Sequence, residues 1–229
     1  MTVAVPVLPP GASWPTRLLF GLRALFILKD DAGNPQAGAL VNRCFDYEVY
    51  RAHLTRMQGT DEGRRLIAQR PSLQRGELDL GALAALPAGT LGRELVRYFE
   101  ANGFPPFATD QDLLDELDYL SKRYRETHDC YHVVTGYTTD DLGEMELQAF
   151  VMGNLGISSP WVITVFGYLP VAVLQHRMGP TSYVRLLRAA WERGRRARPF
   201  LEFPFEERWA ARVDDLRAEL LTPPAMPTH

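Results

Sequence analysis

Cysteine and lysine are almost missing from this sequence of 229 residues. Two cysteines, Cys44 and Cys130, cannot build a disulfide framework, so nothing ties the chain to an oxidising compartment. Lys29 and Lys122 are the only lysines, which leaves 23 of the 25 basic residues to arginine. An arginine fork suits phosphate, carboxylate and lipid headgroups better than a lysine point charge, although a GC-rich genome raises arginine use equally. Excess positive charge is missing too. A net charge of −3 gives no general attraction to nucleic acid, and no nucleic-acid partner is expected. Long apolar runs are absent: a helix crossing a bilayer needs about 18–20 such residues, and the longest stretch, Trp161 to Leu174, is interrupted by Thr164, Gly167 and Pro170. No charged n-region or cleavage site precedes Arg17, so the first fifteen residues do not read as a presequence. These absences predict a cytoplasmic protein of prokaryotic type without a targeting sequence.

What is present is helical periodicity almost everywhere, in a composition of 46% hydrophobic and 23% charged residues that is ordinary for a globular protein. No repeat and no alternating strand pattern interrupts it. The expectation is an all-α, single-domain bundle of about eight to ten helices over residues 1–229, with a Pro-rich leader (1–15) and tail (222–229). Helices are expected from Thr16 to Lys29, from Gln36 to Gln58, and from Asp61 to Arg70 with Thr60 as cap. Asp79 caps a short turn, and Thr90 caps a helix that reaches Asn102 and stops at Gly103. Pro160 and Pro180 each begin a helix, and the last one runs from about Glu206 to Leu221.

One segment carries chemistry. Leu113, Leu117, Leu120 and Tyr124 form the apolar stripe of an amphipathic helix, and two further steps of four along it give His128 and His132. Two imidazoles therefore occupy core positions one turn apart. Asp129 lies three residues before His132 and leans toward the same side. After a stop at Gly136, the Thr138–Asp141 run starts another helix reaching Leu155, with Glu144 in its first turn. A short connection makes these helices antiparallel neighbours, which brings Glu144 level with the histidines, and Gly143 is read as the residue that lets them approach. His128, Asp129, His132 and Glu144 are thus candidate ligands of a divalent metal in the core, with Gln148 as a partner for the ligand set. Two nitrogens and two carboxylates suit zinc (Zn2+), and Fe2+ or Mn2+ as well. Without a metal, the same four groups would have to neutralise one another as a buried polar network. His53 and His176 stand alone and read as packing or surface histidines.

The segment His128-Asp129-x-x-His132, eleven residues, then Glu144 resembles the signature of the coenzyme Q biosynthesis protein 4 family. Glu62–Leu66, Leu86–Arg93, Asn102-Gly103-Phe104, Arg123–Thr127 and Gly194–Ala197 are similar to further segments of it. The resemblance implies an all-α protein that binds zinc through His128, Asp129, His132 and Glu144. It implies a role in ubiquinone synthesis linked to removal of the C1 carboxylate of a polyprenylated 4-hydroxybenzoate, with the four ligands in the catalytic role. It also implies a peripheral membrane protein that organises the other ubiquinone-biosynthesis enzymes; a place on the inner face of the membrane, an isoprenoid-lipid partner and a homo-oligomer are expected with it.

Zinc can polarise a carboxylate or phenolate, or acidify a water. Four protein ligands, however, make a closed structural site unless one is labile. Two readings therefore stay open, a carboxy-lyase and a non-catalytic, zinc-stabilised lipid-binding scaffold. An isoprenoid tail needs an apolar groove, for which Leu18–Leu28 and Trp161–Leu174 are candidates. Arg185, Arg188, Arg193, Arg195, Arg196 and Arg198 form a basic face suited to anionic lipid. A His-Asp phosphohydrolase would also need ligands such as His53 and Asp140 or Asp141, and its flanks match poorly. A zinc protease would need a glutamate where Asp129 stands.

Overall fold

The structure is a computed structural model that describes residues 5–9, 11–31, 34–74, 76–103, 115–158 and 178–222. It is all-α: the described residues form ten α-helices and no strand. They are α1 (Trp14–Asp30), α2 (Pro35–Phe45), α3 (Tyr47–Gln58), α4 (Asp61–Gln69), α5 (Leu80–Ala84), α6 (Leu91–Asn102), α7 (Glu116–Thr135), α8 (Asp141–Leu155), α9 (Pro180–Arg196) and α10 (Val213–Leu221), with single 3₁₀ turns at Phe200–Glu202 and Phe205–Glu207. The helix expected from Pro160 and the run Trp161–Leu174 lie outside the described residues, as does His176.

The helices divide into two compact units: Met1–Arg70 with Ala108–Arg125, and Pro71–Phe107 with Glu126–His229. In the first, Ala24, Leu40, Val41 and Cys44 are buried against Leu8, with Phe20, Leu25 and Leu28 packed onto them. The continuous helix expected over Gln36–Gln58 is broken at Asp46, whose ψ of 13° separates α2 from α3. Aspartate competes with the backbone inside a helix and favours helix starts, so the chain bends there. Hydrogen bonds from Asp46 N to Asn42 O and from Tyr50 N to Asp46 O keep the two pieces continuous. Thr60 caps α4 as expected, its side chain accepting from Gly63 N. His53 is buried beside Arg56, a packing histidine.

In the second unit an aromatic cluster fills the core. Tyr131 of α7 meets Phe200 at 5.1 Å, and Phe150 of α8 meets Phe200 at 5.2 Å, both edge-to-face. Helices α8 and α9 cross where neither carries a side chain. A Cβ on Gly153 would lie 2.1 Å from Trp191 O, and one on Gly194 would lie 2.0 Å from Phe150 O. Asn154 locks this crossing, its amide donating to the carbonyls of Gly194 and Arg198 and its oxygen accepting from Phe200 N.

The last helix is shorter than the sequence suggests. Residues 208–212 leave the helical path to pair with the start of α6: Leu91 N donates to Ala211 O, Gly92 N to Trp209 O, and Val213 N to Gly89 O. These backbone partners satisfy first-turn amides that helices otherwise leave unpaired. The Thr90 hydroxyl is thereby released from capping and donates to Pro87 O instead.

Candidate metal centre

From Leu117 on, the expected stripe lies on α7, while Leu113 lies outside the described residues. Leu120 and Tyr124 are buried, and His132 is buried one and two turns on from His128 and Tyr124 respectively. The helix stops at Gly136, whose φ of 80° is the left-handed conformation glycine adopts without strain. Its final carbonyls are taken by arginines from far along the chain. Arg193 of α9 donates to Thr135 O at 2.8 Å, and Arg217 of α10 donates to Val134 O and Val133 O at 3.0 and 3.2 Å. Cations at a helix C-terminus satisfy both the free carbonyls and the dipole.

The chain then turns into α8, capped by the Asp140 carboxylate, which accepts from Gly143 N at 2.8 Å. Gly143 was expected to admit a neighbouring helix; it makes room instead for the turn itself, since a Cβ there would lie 2.3 Å from Thr138 O. That tight turn brings Glu144 back over the histidines.

His128, His132 and Glu144 offer donor atoms that all lie within 4.8 Å of one another. His132 Nε2 is 2.9 Å from Glu144 Oε1, and His128 Nε2 is 3.8 Å from Glu144 Oε2. Two donors on a tetrahedral zinc lie about 3.3 Å apart, a spacing these distances bracket. His132 Nδ1 is 3.0 Å from the carbonyl of Tyr137, which can only accept, so Nδ1 carries the hydrogen. In the neutral ring Nε2 then presents a lone pair to a carboxylate oxygen. Two acceptors at that separation need a positive centre between them, a proton or a cation, and the donor set therefore fits a metal. Side-chain exposure rises from 1% at His132 to 22% at His128 and 32% at Glu144, so access is from the side of the last two.

With a proton as that positive centre, Nε2 of His132 donates to the carboxylate. Burial works against ionisation of Glu144, but the hydrogen bond from His132, the charges of both imidazoles and the amide of Gln148 outweigh it and hold its carboxyl below the ordinary range. Gln148, suggested by the sequence as a partner for the candidate set, thus hydrogen-bonds Glu144. Burial likewise opposes a charged His128, and the Asp129 carboxylate with Glu144 outweighs it, raising its pKa.

Asp129 stands apart from the three-membered group. One residue on from His128 it is rotated around the helix, and its Oδ1 is 4.0 Å from His128 Nδ1, the nitrogen facing away from Glu144. Tyr98, on α6, carries no signal in the sequence that marks it for this place. Its ring stacks on His132 with centroids 5.4 Å apart and planes 27° apart, and its phenol hydrogen-bonds to Asp129. Burial, with the charges of Asp129 and Glu144, pushes that phenol's pKa well up. Tyr98 also lines a cavity of about 460 Å³ together with Glu94, Arg97, Asn102, Val133 and Arg217.

The basic face expected for lipid is largely engaged within the protein. Arg188 pairs with Glu192, Arg193 holds Thr135, Arg195 lies over Trp191 and Arg198 pairs with Glu219. Exposed large apolar side chains among the described residues gather on α1, at Trp14, Leu19, Leu22 and Phe26, with Val184 on α9 and Val7 besides. No helix among the described residues is long and apolar enough to cross a membrane.

Residues 33–225 match a family model described as coenzyme Q (ubiquinone) biosynthesis protein Coq4. Curated relatives named as mitochondrial ubiquinone biosynthesis protein COQ4 homologs are similar over most of the chain. The one from Danio rerio is 34% identical over 177 residues, covering 72% of this chain and 61% of its own length. Those from Homo sapiens and Drosophila ananassae are 34% and 33% identical, covering 74% and 73% of this chain and 64% and 63% of their own. The chain thus spans somewhat over three fifths of the curated relatives it matches. A solved chain from Nostoc punctiforme, provisionally described as a ubiquinone biosynthesis protein, shares the fold: TM-score 0.68 at 24% identity, over 90% of this chain and 96% of that one. The relatives' mitochondrial names overturn the expectation of a cytoplasmic protein on the inner face of a prokaryotic membrane. That expectation rested on the composition of the first fifteen residues, which does not speak to where such relatives reside.

Proposed function

The chain belongs to the coenzyme Q (ubiquinone) biosynthesis protein Coq4 family, and from that premise we propose that it acts in ubiquinone biosynthesis as a zinc-dependent carboxy-lyase. Its substrate is a polyprenylated 4-hydroxybenzoate that loses the carboxylate at ring carbon C1. The observation that carries this reading is the convergence of His128, His132 and Glu144 on one point. Zinc bound there supplies localised positive charge that grips a carboxylate or phenolate; Fe2+ and Mn2+ suit the same donors. His128 and His132 would hold the cation through ring nitrogens, and Glu144 would offset half of its charge. Asp129, a fourth ligand in the family resemblance, stands beside His128. Loss of carbon dioxide leaves an electron pair on C1 that must take up a proton. An oxidative variant that puts a hydroxyl in place of the carboxylate would further need dioxygen or a flavin-bearing partner enzyme.

The cavity bordered by Tyr98 is the candidate seat for the aromatic ring. The exposed apolar face of α1 is offered to a membrane surface, and the other partners are an isoprenoid lipid, further ubiquinone-biosynthesis enzymes and a second copy of the chain. Residues 1–229 act as one functional domain in this reading.

The exposed face of α1 also favours the second reading, a lipid-binding scaffold in which the metal only joins α7 to α8. Elemental analysis followed by incubation with a prenylated 4-hydroxybenzoate tests both. Metal bound and carbon dioxide released, with release lost in Glu144→Ala, supports the lyase; metal bound without release in the presence of oxidant and partner enzymes leaves the scaffold.

A further inference from the structure

Residues 136–140 carry the chain from α7 into α8 along the surface, with Gly136, Thr138 and Asp140 exposed. Connections of this kind are the mobile part of a fold unless side chains tie them down. This one has to keep a particular atom still, because His132 Nδ1 donates to the carbonyl of Tyr137 at 3.0 Å. The ring of Tyr137 supplies the tie. The guanidinium of Arg193, on α9, lies over that ring, 5.0 Å from its centroid, and Phe150 of α8 meets it edge-to-face at 6.2 Å. Arg193 is fixed in turn by its bond to Thr135 O, two residues before Tyr137. One side chain thus grips both the last carbonyl of α7 and the turn beyond it. Arg217 reaches only Val133 O and Val134 O, short of the turn.

Resting on the metal-site reading above, we infer that Arg193 is a positioning residue for His132 and acts through Tyr137. Helix α9 carries none of the clustered donors. Its cation holds the ring of Tyr137, and the ring holds the carbonyl. The carbonyl then keeps the hydrogen on Nδ1 and leaves the Nε2 lone pair facing Glu144, where the metal would sit. A Tyr137 set loose would leave Nδ1 to water. The imidazole could then turn, or carry its hydrogen on Nε2 instead, and either change withdraws the lone pair. The phenol hydroxyl of Tyr137 has no part in this, only the ring and the backbone.

The experiment uses the full-length protein and two readouts that do not depend on turnover. One is cobalt(II) affinity; the other is solvent exchange of the His132 Nδ1 hydrogen, followed by NMR on the zinc-loaded, histidine-labelled protein. Tyr137→Phe keeps the ring and the carbonyl and should match the wild type in both. Tyr137→Ala should lose about 10- to 100-fold in affinity, and Arg193→Leu about tenfold, each with faster exchange at Nδ1. Asn154→Ala loosens the crossing of α8 and α9 without touching Tyr137. It should lower stability and leave both readouts unchanged, which separates positioning from loss of fold. If Arg193→Leu keeps the wild-type affinity and exchange, the inference falls while the metal reading stands. It falls equally if Asn154→Ala weakens cobalt as much as Arg193→Leu does. If wild type binds cobalt no better than His132→Ala, the metal reading falls and the role of Arg193 with it.

Discussion

His132 donates through Nδ1 to the carbonyl of Tyr137, 3.0 Å away, and that bond decides which nitrogen meets Glu144. The first prediction concerns the metal itself. Purified protein should carry about one equivalent, and His132→Ala or Glu144→Ala should carry close to none by elemental analysis. Added zinc should raise the melting temperature of wild type only, since a ligand at a hundred times its Kd stabilises by about 2.7 kcal/mol.

Gly143 touches no donor, yet its loss should empty the site. An added Cβ would meet Thr138 O at 2.3 Å, which forces the turn open and withdraws Glu144 from the histidines. Gly143→Ala should therefore lower metal content along with stability, the latter by about 1–3 kcal/mol. A substitution as small as alanine at the solvent-facing Asp141, two residues away, should change neither.

The crossing of α8 and α9 predicts a purely structural defect. Gly194→Ala places a methyl 2.0 Å from Phe150 O, and Asn154→Ala strands the carbonyl of Arg198 and the amide of Phe200 and leaves Gly194 O only its bond from Ala197 N. Each should reduce unfolding free energy by about 2 kcal/mol or more in denaturant titrations, with any metal retained at low temperature.

Cys44 gives a pH signature in the other unit. Burial pushes its thiol from 9.0 up to about 11, against the opposing charges of Arg17 and Arg43. A raised value means the folded state holds the proton more tightly than the unfolded one. Stability from this group is intact below pH 9, falls as the unfolded chain ionises first, and is fully lost above about pH 11. Alkylation at pH 8 should accordingly be slow, and Cys44→Ser should blunt the alkaline loss of stability.

The helices and the heart of the site were legible because their signals are local. Histidines four apart on an apolar stripe, a glycine stop at Gly136 and an aspartate cap at Asp140 all act within one or two turns. What was not legible depends on distant chain. Tyr98 reaches His132 by a tertiary stack that leaves no periodic trace, and the Tyr137 carbonyl is a backbone atom that any residue would supply. The spacing of Asp129 from His132 suggested a common side, but its place one residue on from His128 and the orientation of that ring, invisible in sequence, put it at Nδ1, away from Glu144. The shortened α10 has the same origin: residues 208–212 give up helix to feed the amides of α6, an exchange between segments more than a hundred residues apart.

Arg193 and Arg217 secure the last carbonyls of α7 from positions 58 and 83 or 84 residues downstream. A ribosome that has released Glu144 has delivered all three clustered donors, but the helix bearing two of them stays unfinished until the C-terminal arginines emerge. Completion of the centre thus waits on chain made long after its donors, and a nascent or truncated chain ending before Arg217 has the donors without the frame that aims them.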